Sequence, residues 1–513
     1  MSATMADIVS KHQVTLKLWV NKERNKVFFA KAEKDFVDVL ISFLTLPLGT
    51  IVRLANKESN MDLVEFGSLS SLYKSVENLD NECLCTDTCK EMLLRPRNSL
   101  EAYCRNMKLN IDDTEPTKYL VCNDLVNCRH YYPVLLSTFR NKRCRCGNTL
   151  GKPISPESQC SNVFDGFVKS NATFMITDDL KVLSDSLNTI LSVLMSSGLE
   201  NASLLTEMTV SITKTQVIHL LKSCLLSKTT LTDTFLVEKP YLERFNKIKL
   251  APLDLNTNGS GKINIKIMQR KSNGKILFAQ GKEDFANFLF SFLTFPLGAV
   301  VQLMECCSSI GSVDALYKSI VDLDEDYWTT KETKHKVVHP VIAPQFKLTN
   351  QLLPICDAPI PEYFCFTKDV YDERDCQRNL ISWFLTSERT RTKRRTETCK
   401  GMKFVDPISE SGKGEGFAKG PTMYMATDDL VVTPMSSDSL LSLLNRTNIL
   451  VRDLEEKEVS IGVKEMGLPD DFSVYINYPL LVQGISILQA SLSSTSALTA
   501  GLSHLLTKIK EEN

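Results

Sequence analysis

The chain reads as an α+β protein built as two homologous tandem domains, each with short antiparallel strands packed with amphipathic helices. Three observations lead there. The run KLWVNKERNKVFFAKAEKDFVDVLISFLTLPLGTIVRLA at 17–55 returns without a gap at 266–304 as KIMQRKSNGKILFAQGKEDFANFLFSFLTFPLGAVVQLM. Within each run, alternation of apolar and polar residues gives way to a helical period. With 43% hydrophobic and 24% charged residues, the composition is that of an ordinary folded chain.

The repetition extends beyond these runs. LYKS at 72–75 recurs at 316–319, FVKSNATFMITDDL at 167–180 as FAKGPTMYMATDDL at 417–430, and VIHLLKSCLLSKTTLT at 217–232 as ISILQASLSSTSALT at 485–499. The repeated unit is about 250 residues, well beyond the ~20–50 of solenoid repeats. The boundaries are 14–250 for the first copy, 256–262 (turn-forming NTNGSGK ends here) for the linker, and 263–506 for the second.

Each copy opens with two strands, Thr15–Val20 and Val27–Phe29 in the first, Ile263–Met268 and Ile276–Phe278 in the second. Acidic Asp35 and Asp284 then mark helix N-termini. Phe36, Val39, Leu40, Phe43 and Leu44 fall at helical spacing and predict one buried stripe, repeated by Phe285, Phe288, Leu289, Phe292 and Leu293. Proline in TLPLG and TFPLG stops that helix. A short helix and the LYKS helix follow. The middles, roughly 80–165 and 325–416, are polar, cysteine-bearing and weakly periodic. Order returns with strands at Thr173–Thr177 and Tyr424–Thr427, capped helices in 184–194 and 436–445, strands at 207–212 and 456–461, and closing helices at 215–226 and 484–493. The second copy carries an insertion around 466–480.

The uncharged stretch 285–304 has the length of a membrane span. Its counterparts in the first copy include Asp38 and Arg53, costly in hydrocarbon, so a buried helix–turn–helix is expected. The formal charge of −1 and pI near 6.6 leave no global footprint for nucleic acid or an anionic surface. MSATMADIVSKHQ lacks the apolar core of a secretory signal. The sixteen cysteines are therefore expected as reduced thiols or metal ligands in the cytoplasm, with the nucleus as the alternative compartment.

Cys122, Cys128, Cys144 and Cys146 are the candidate metal ligands. Four thiolates can close a tetrahedral structural zinc site and hold together a loop too polar to form its own core. Their x5 and x1 spacings differ from the usual x2–4 knuckle, and the alternative is scattered loop thiols. The second copy retains only Cys365, Cys376 and Cys399, so no zinc is expected there. Cys83, Cys85 and Cys89 have no counterpart and read as incidental. The pairs Asp178/Asp179 and Asp428/Asp429 admit metal or acid–base chemistry, but a tight turn accounts for them with less. The basic run 389–395 lacks interleaved aromatics, and SGKGEGFAKG at 411–420 fits no phosphate-binding motif. None of the six histidines recurs between copies, and His219, in an apolar helical run, is expected as a core residue rather than a base. No catalytic or cofactor-binding residue is nominated.

The F-A-x-x-x-K/E-D-F-x-x-x-L-x-S-F-L-T-x-P-L-G-x-x-V block, LYKS-x-x-x-L-D, the CxCG-like step, M-x-T-D-D-L and the closing helix resemble the plant family of the domain of unknown function 674. The resemblance covers nearly the whole chain and implies plant origin and an internal duplication. It brings no activity or site residue with it. The expectation is an intracellular, non-enzymatic interaction or scaffold protein with a protein partner and no membrane or nucleic acid. Alternatives are an enzyme with an unrecognised site between the copies and a nucleic-acid-associated protein using 389–395.

Overall fold

The computed structural model describes residues 14–57, 66–128, 133–140, 142–156, 164–196, 201–237, 261–370, 380–387, 399–408, 416–463 and 483–503. The first half supplies strands β1 (Val14–Asn21), β2 (Lys26–Glu33), β3 (Tyr119–Cys122), β4 (Val134–Leu136), β5 (Leu150–Pro156), β6 (Thr173–Thr177), β7 (Val182–Ser184) and β8 (Leu205–Ile212). The second supplies β9 (Gly261–Arg270), β10 (Ile276–Gly281), β11 (Phe364–Val370), β12 (Leu380–Thr386), β13 (Cys399–Phe404), β14 (Tyr424–Thr427), β15 (Val432–Pro434) and β16 (Leu454–Val463). The protein is α+β.

Two five-stranded sheets carry the expected strands, in the orders β7-β6-β2-β1-β8 and β15-β14-β10-β9-β16. All of their pairings are antiparallel. In β1 the alternation buries Val14, Leu16 and Leu18 and leaves Thr15 and Lys17 in solvent.

The helix Lys34–Thr45 begins and ends where the acidic residue and the proline place it. It departs from the expectation in one respect. The stripe is buried, but so are Val37, Ile41 and Ser42 on the other side. Helices of the second half, Leu297–Leu303, Val313–Asp322 and Lys331–Val338, pack over it. A helix with apolar residues beyond one stripe needs cover beyond one face, and here the other half provides it. The uncharged stretch forms most of the helix Glu283–Ser291, a 3-10 turn at Phe292–Thr294 and the helix Leu297–Leu303, buried from Phe285 to Ser291, through the turn, and from Leu297 to Val301. No helix among the described residues is long and apolar enough to cross a membrane.

Backbone hydrogen bonds join the halves in matched pairs. Leu48 N–H donates to Phe295 O (2.9 Å) and Leu297 N–H to Leu46 O (3.0 Å) at the two proline turns. Ser68 N–H donates to Ser494 O and Ser312 N–H to Cys224 O, both at 2.8 Å. Gly67 and Gly311, at φ +48 and +45, precede these two contacts. A Cβ would lie 2.6 Å from Ser491 O at the first and 2.2 Å from Cys224 O at the second. Only glycine combines that backbone conformation with so close an approach. One hydrophobic cluster accordingly runs through both halves, from Phe36, Phe43 and Leu221 to Phe285, Phe292 and Leu488.

The polar middles, weakly periodic as sequence, meet in a third sheet ordered β3-β5-β12-β11-β13-β4. Strands of different halves run parallel where they join, β5 beside β12 and β4 beside β13. Leu120 and Ser137 exchange two backbone hydrogen bonds (2.7 and 2.9 Å) and bring the two ends of the sheet together, closing it on itself as a six-stranded barrel. Its core joins Val121, Val134, Leu136 and Ile154 to Cys365 and Leu385. The hydroxyls of Tyr119 and Tyr363 meet across it at 2.8 Å. The first half supplies three strands of three to seven residues, and the other half completes the sheet.

Candidate metal centre

The four cysteines of the first half converge at one edge of the barrel. In β3, Val121 faces the barrel core and Cys122 the opposite side, where a break in register lies between Val121 and Cys122. Asn123 and Asp124 turn the chain into the single-turn helix Leu125–Cys128, and Cys128 N–H donates to Asp124 O (3.0 Å). Cys144 and Cys146 sit on a tight turn closed by Gly147 N–H to Cys144 O (2.9 Å) and Cys144 N–H to Asn148 O (2.7 Å). Gly147, at φ +88, permits that turn. The x5 and x1 spacings, unusual for a knuckle, are thus absorbed by a helical turn and a glycine turn.

All four Sγ atoms lie within 4.8 Å of one another. Cys122 and Cys146 are 3.5 Å apart at sulfur, as are Cys128 and Cys144. A tetrahedral site with metal–sulfur bonds of about 2.3 Å separates its sulfurs by about 3.8 Å, so this cluster can hold a metal ion with small adjustment. Cys122, Cys128 and Cys144 are buried and Cys146 half-buried. Leu150, Leu135 and Val405 pack around them.

Burial pushes the Cys122 thiol up to about 11 and Cys128 well above the ordinary range. Cys146 is drawn down to about 6 by the hydrogen bond from Cys128 and by the backbone N–H of Asn148. A cation binding here would release the protons of the thiols it recruits. The N–H groups of Asp124 and Asn148, each two residues beyond a cysteine, support the sulfurs of Cys122 and Cys146. Sequence reasoning missed these donors; the turn-forming Asn-Asp and Gly-Asn after those cysteines were the available signal.

The other candidates are placed differently. Cys365 lies in the barrel core, Cys399 in β13, and Cys376 outside the described residues. No second group of three or more metal-ligating side chains occurs among the described residues. Cys85 donates to Ala418 O (3.3 Å), and Cys89 contacts Thr86, both as structural thiols. His219 is half-buried rather than in the core. The run 389–395, residues 411–415 and the 466–480 insertion lie outside the described residues.

The Asp pairs form turns, as expected, and one member of each does more. Leu180 and Leu430 close the turns at φ +64 and +63. Asp178 accepts from Thr232 N–H (2.8 Å) and Thr232 Oγ1 (2.9 Å), and Asp428 from the same two groups of Thr499 (2.7 and 2.9 Å). Each carboxylate thus ties the chain after a closing helix to the sheet. Burial raises both above the usual carboxylate range, against the hydrogen bonds from threonine. Asp428→Ala should destabilise the protein by about 1–3 kcal/mol through the orphaned Thr499 donors. Thermal unfolding checks this, and a change within ~0.5 kcal/mol would place Asp428 with ordinary surface residues.

Neither curated proteins nor solved structures show a match to the chain. The family model described as Protein of unknown function (DUF674) matches residues 10–464, most of the sequence. The chain belongs to that family.

Proposed function

We propose that this protein is a zinc-binding scaffold without a catalytic role, its zinc held by Cys122, Cys128, Cys144 and Cys146. The observation that carries the reading is the convergence of four sulfurs to within 4.8 Å, three of them buried. Four soft ligands in a closed tetrahedral set leave no open position for substrate, which is the arrangement of structural rather than catalytic zinc. The buried carboxylates Asp38 and Asp178 and the half-buried Asp428 are occupied with backbone and hydroxyl donors, which supports a structural use for them too. A protein partner is supported by the helix Leu187–Ser196, where Leu187 and Met195 are 79% and 80% exposed. The matched contacts between halves and the common strand order likewise support a duplicated origin.

The test is elemental analysis of the full chain purified under reducing conditions. About one zinc per chain is expected, lost in Cys144→Ser and, in the wild type, released as pH falls, because protonation competes for each thiolate. Iron in place of zinc would correct the metal. A chain that neither retains nor takes up any metal, with all four thiols reduced, would end this reading.

A further inference from the structure

The metal-site reading places every ligand at the end of a first-half barrel strand or on a connection between such strands. Cys122 ends β3, Cys128 stands between β3 and β4, and Cys144 and Cys146 stand between β4 and β5. One ion would therefore set the mutual positions of three strands whose own lengths are three to seven residues. The second half docks on that framework. Met402, Lys403 and Phe404 of β13 pair with Val134, Leu135 and Leu136, and Phe384 and Leu385 of β12 with Ser155 and Pro156.

The contact continues up to the sulfurs. Val405 packs with Leu135 against the cysteine cluster, and its N–H donates to Leu136 O (2.8 Å). Lys142, whose carbonyl accepts from Leu150 N–H (2.8 Å), donates its Nζ to Pro407 O (2.7 Å). The second half contributes Cys365 to the shared barrel core, on the strand corresponding in sheet order to β3. We infer that the metal bound in the first half is what holds the second-half barrel strands in place, so that metal occupancy governs whether the barrel joining the two halves is closed. This rests on the metal-site reading. The five-stranded sheets and their helices, with a separate and much larger core, are independent of it.

The chain carries its own reporters. Cys365 is fully buried in the barrel, whereas Cys104 and Cys224 are buried in the main core. Burial holds all three thiols protonated and slow to alkylate. The experiment is a short pulse of N-ethylmaleimide on the full chain, zinc-loaded or stripped with 1,10-phenanthroline under reductant, read by peptide mass spectrometry with zinc measured in parallel. Stripping should speed modification of Cys365 by about tenfold or more, as local opening does, and leave Cys104 and Cys224 protected. Cys144→Ser should reproduce this pattern with zinc present, and protection of Cys224 shows that the variant is folded. If zinc is bound and removed yet Cys365 stays as protected as Cys224, the coupling is wrong and the metal site stands. If all three thiols open together, the metal supports the whole fold and the inference is equally wrong. If neither the purified chain nor one given zinc chloride holds metal, the site reading fails first.

Discussion

Truncating Phe43 to Ala should cost about 3–5 kcal/mol, and Phe292→Ala about the same. Both rings are fully buried, on helical segments that meet near the paired proline turns. Phe292 packs edge-on against Phe288 (4.9 Å between centroids) and against Phe295 (6.2 Å), so its loss opens a cavity among aromatics that cannot easily collapse. The shared core adds a second expectation. Because Phe43 and Phe292 belong to one cluster, either truncation should lower a single cooperative transition rather than release one half. Urea denaturation followed by far-UV circular dichroism and tryptophan fluorescence checks both points. A loss under ~1 kcal/mol, or two transitions of which only one moves, would contradict the packing described.

Asp38→Ala should be comparably damaging, at about 3–5 kcal/mol, the usual cost of stranding one member of a buried ion pair. The Asp38 carboxylate accepts from Lys34 Nζ (2.6 Å), Phe167 N–H (2.8 Å) and Val168 N–H (3.1 Å). Its side chain is 2% exposed and that of Lys34 11%. Removing it leaves two N–H groups without their acceptor and the ammonium with only the exposed Asp165 carboxylate, 3.7 Å away. Asp38→Asn should cost distinctly less, because the second half shows the amide in the same service: Asn287 Oδ1 accepts from Ala418 N–H at 2.7 Å. The comparison of the two variants by the same denaturation is the check. Equal losses would mean that the negative charge itself, rather than the acceptor geometry, does the holding.

Much of the local structure was legible in the sequence because local chemistry decides it. Alternation and apolar runs about a polar turn marked β1, β2, β9 and β10, while Asp35 and Pro47 bracketed a helix, and Ser436 caps the helix Ser437–Thr447 as expected, its hydroxyl accepting from Ser439 N–H. The cysteines were legible as a candidate by count and clustering alone, though their spacing counted against them. What defeated the spacing argument is that a single-turn helix and a left-handed glycine can present sulfurs as a knuckle does.

The barrel was not legible at all. Its strands are short, with partners up to about 270 positions away, such as Met402 for Val134, and neither half alone shows the pattern of a packed sheet. By itself the sequence marked the strands and helices that flank the polar middles, where the helix Lys34–Thr45 starts and stops, and the alternation of β1. Only the tertiary structure decided what covers the second face of the helix Lys34–Thr45, which carbonyl Gly67 and Gly311 must approach, and that four sulfurs spread over 122–146 share one point. The physical reason is common to all three. Dihedral preference and hydrophobic period act within a turn or two of chain, whereas these features depend on which distant surface is left to bury.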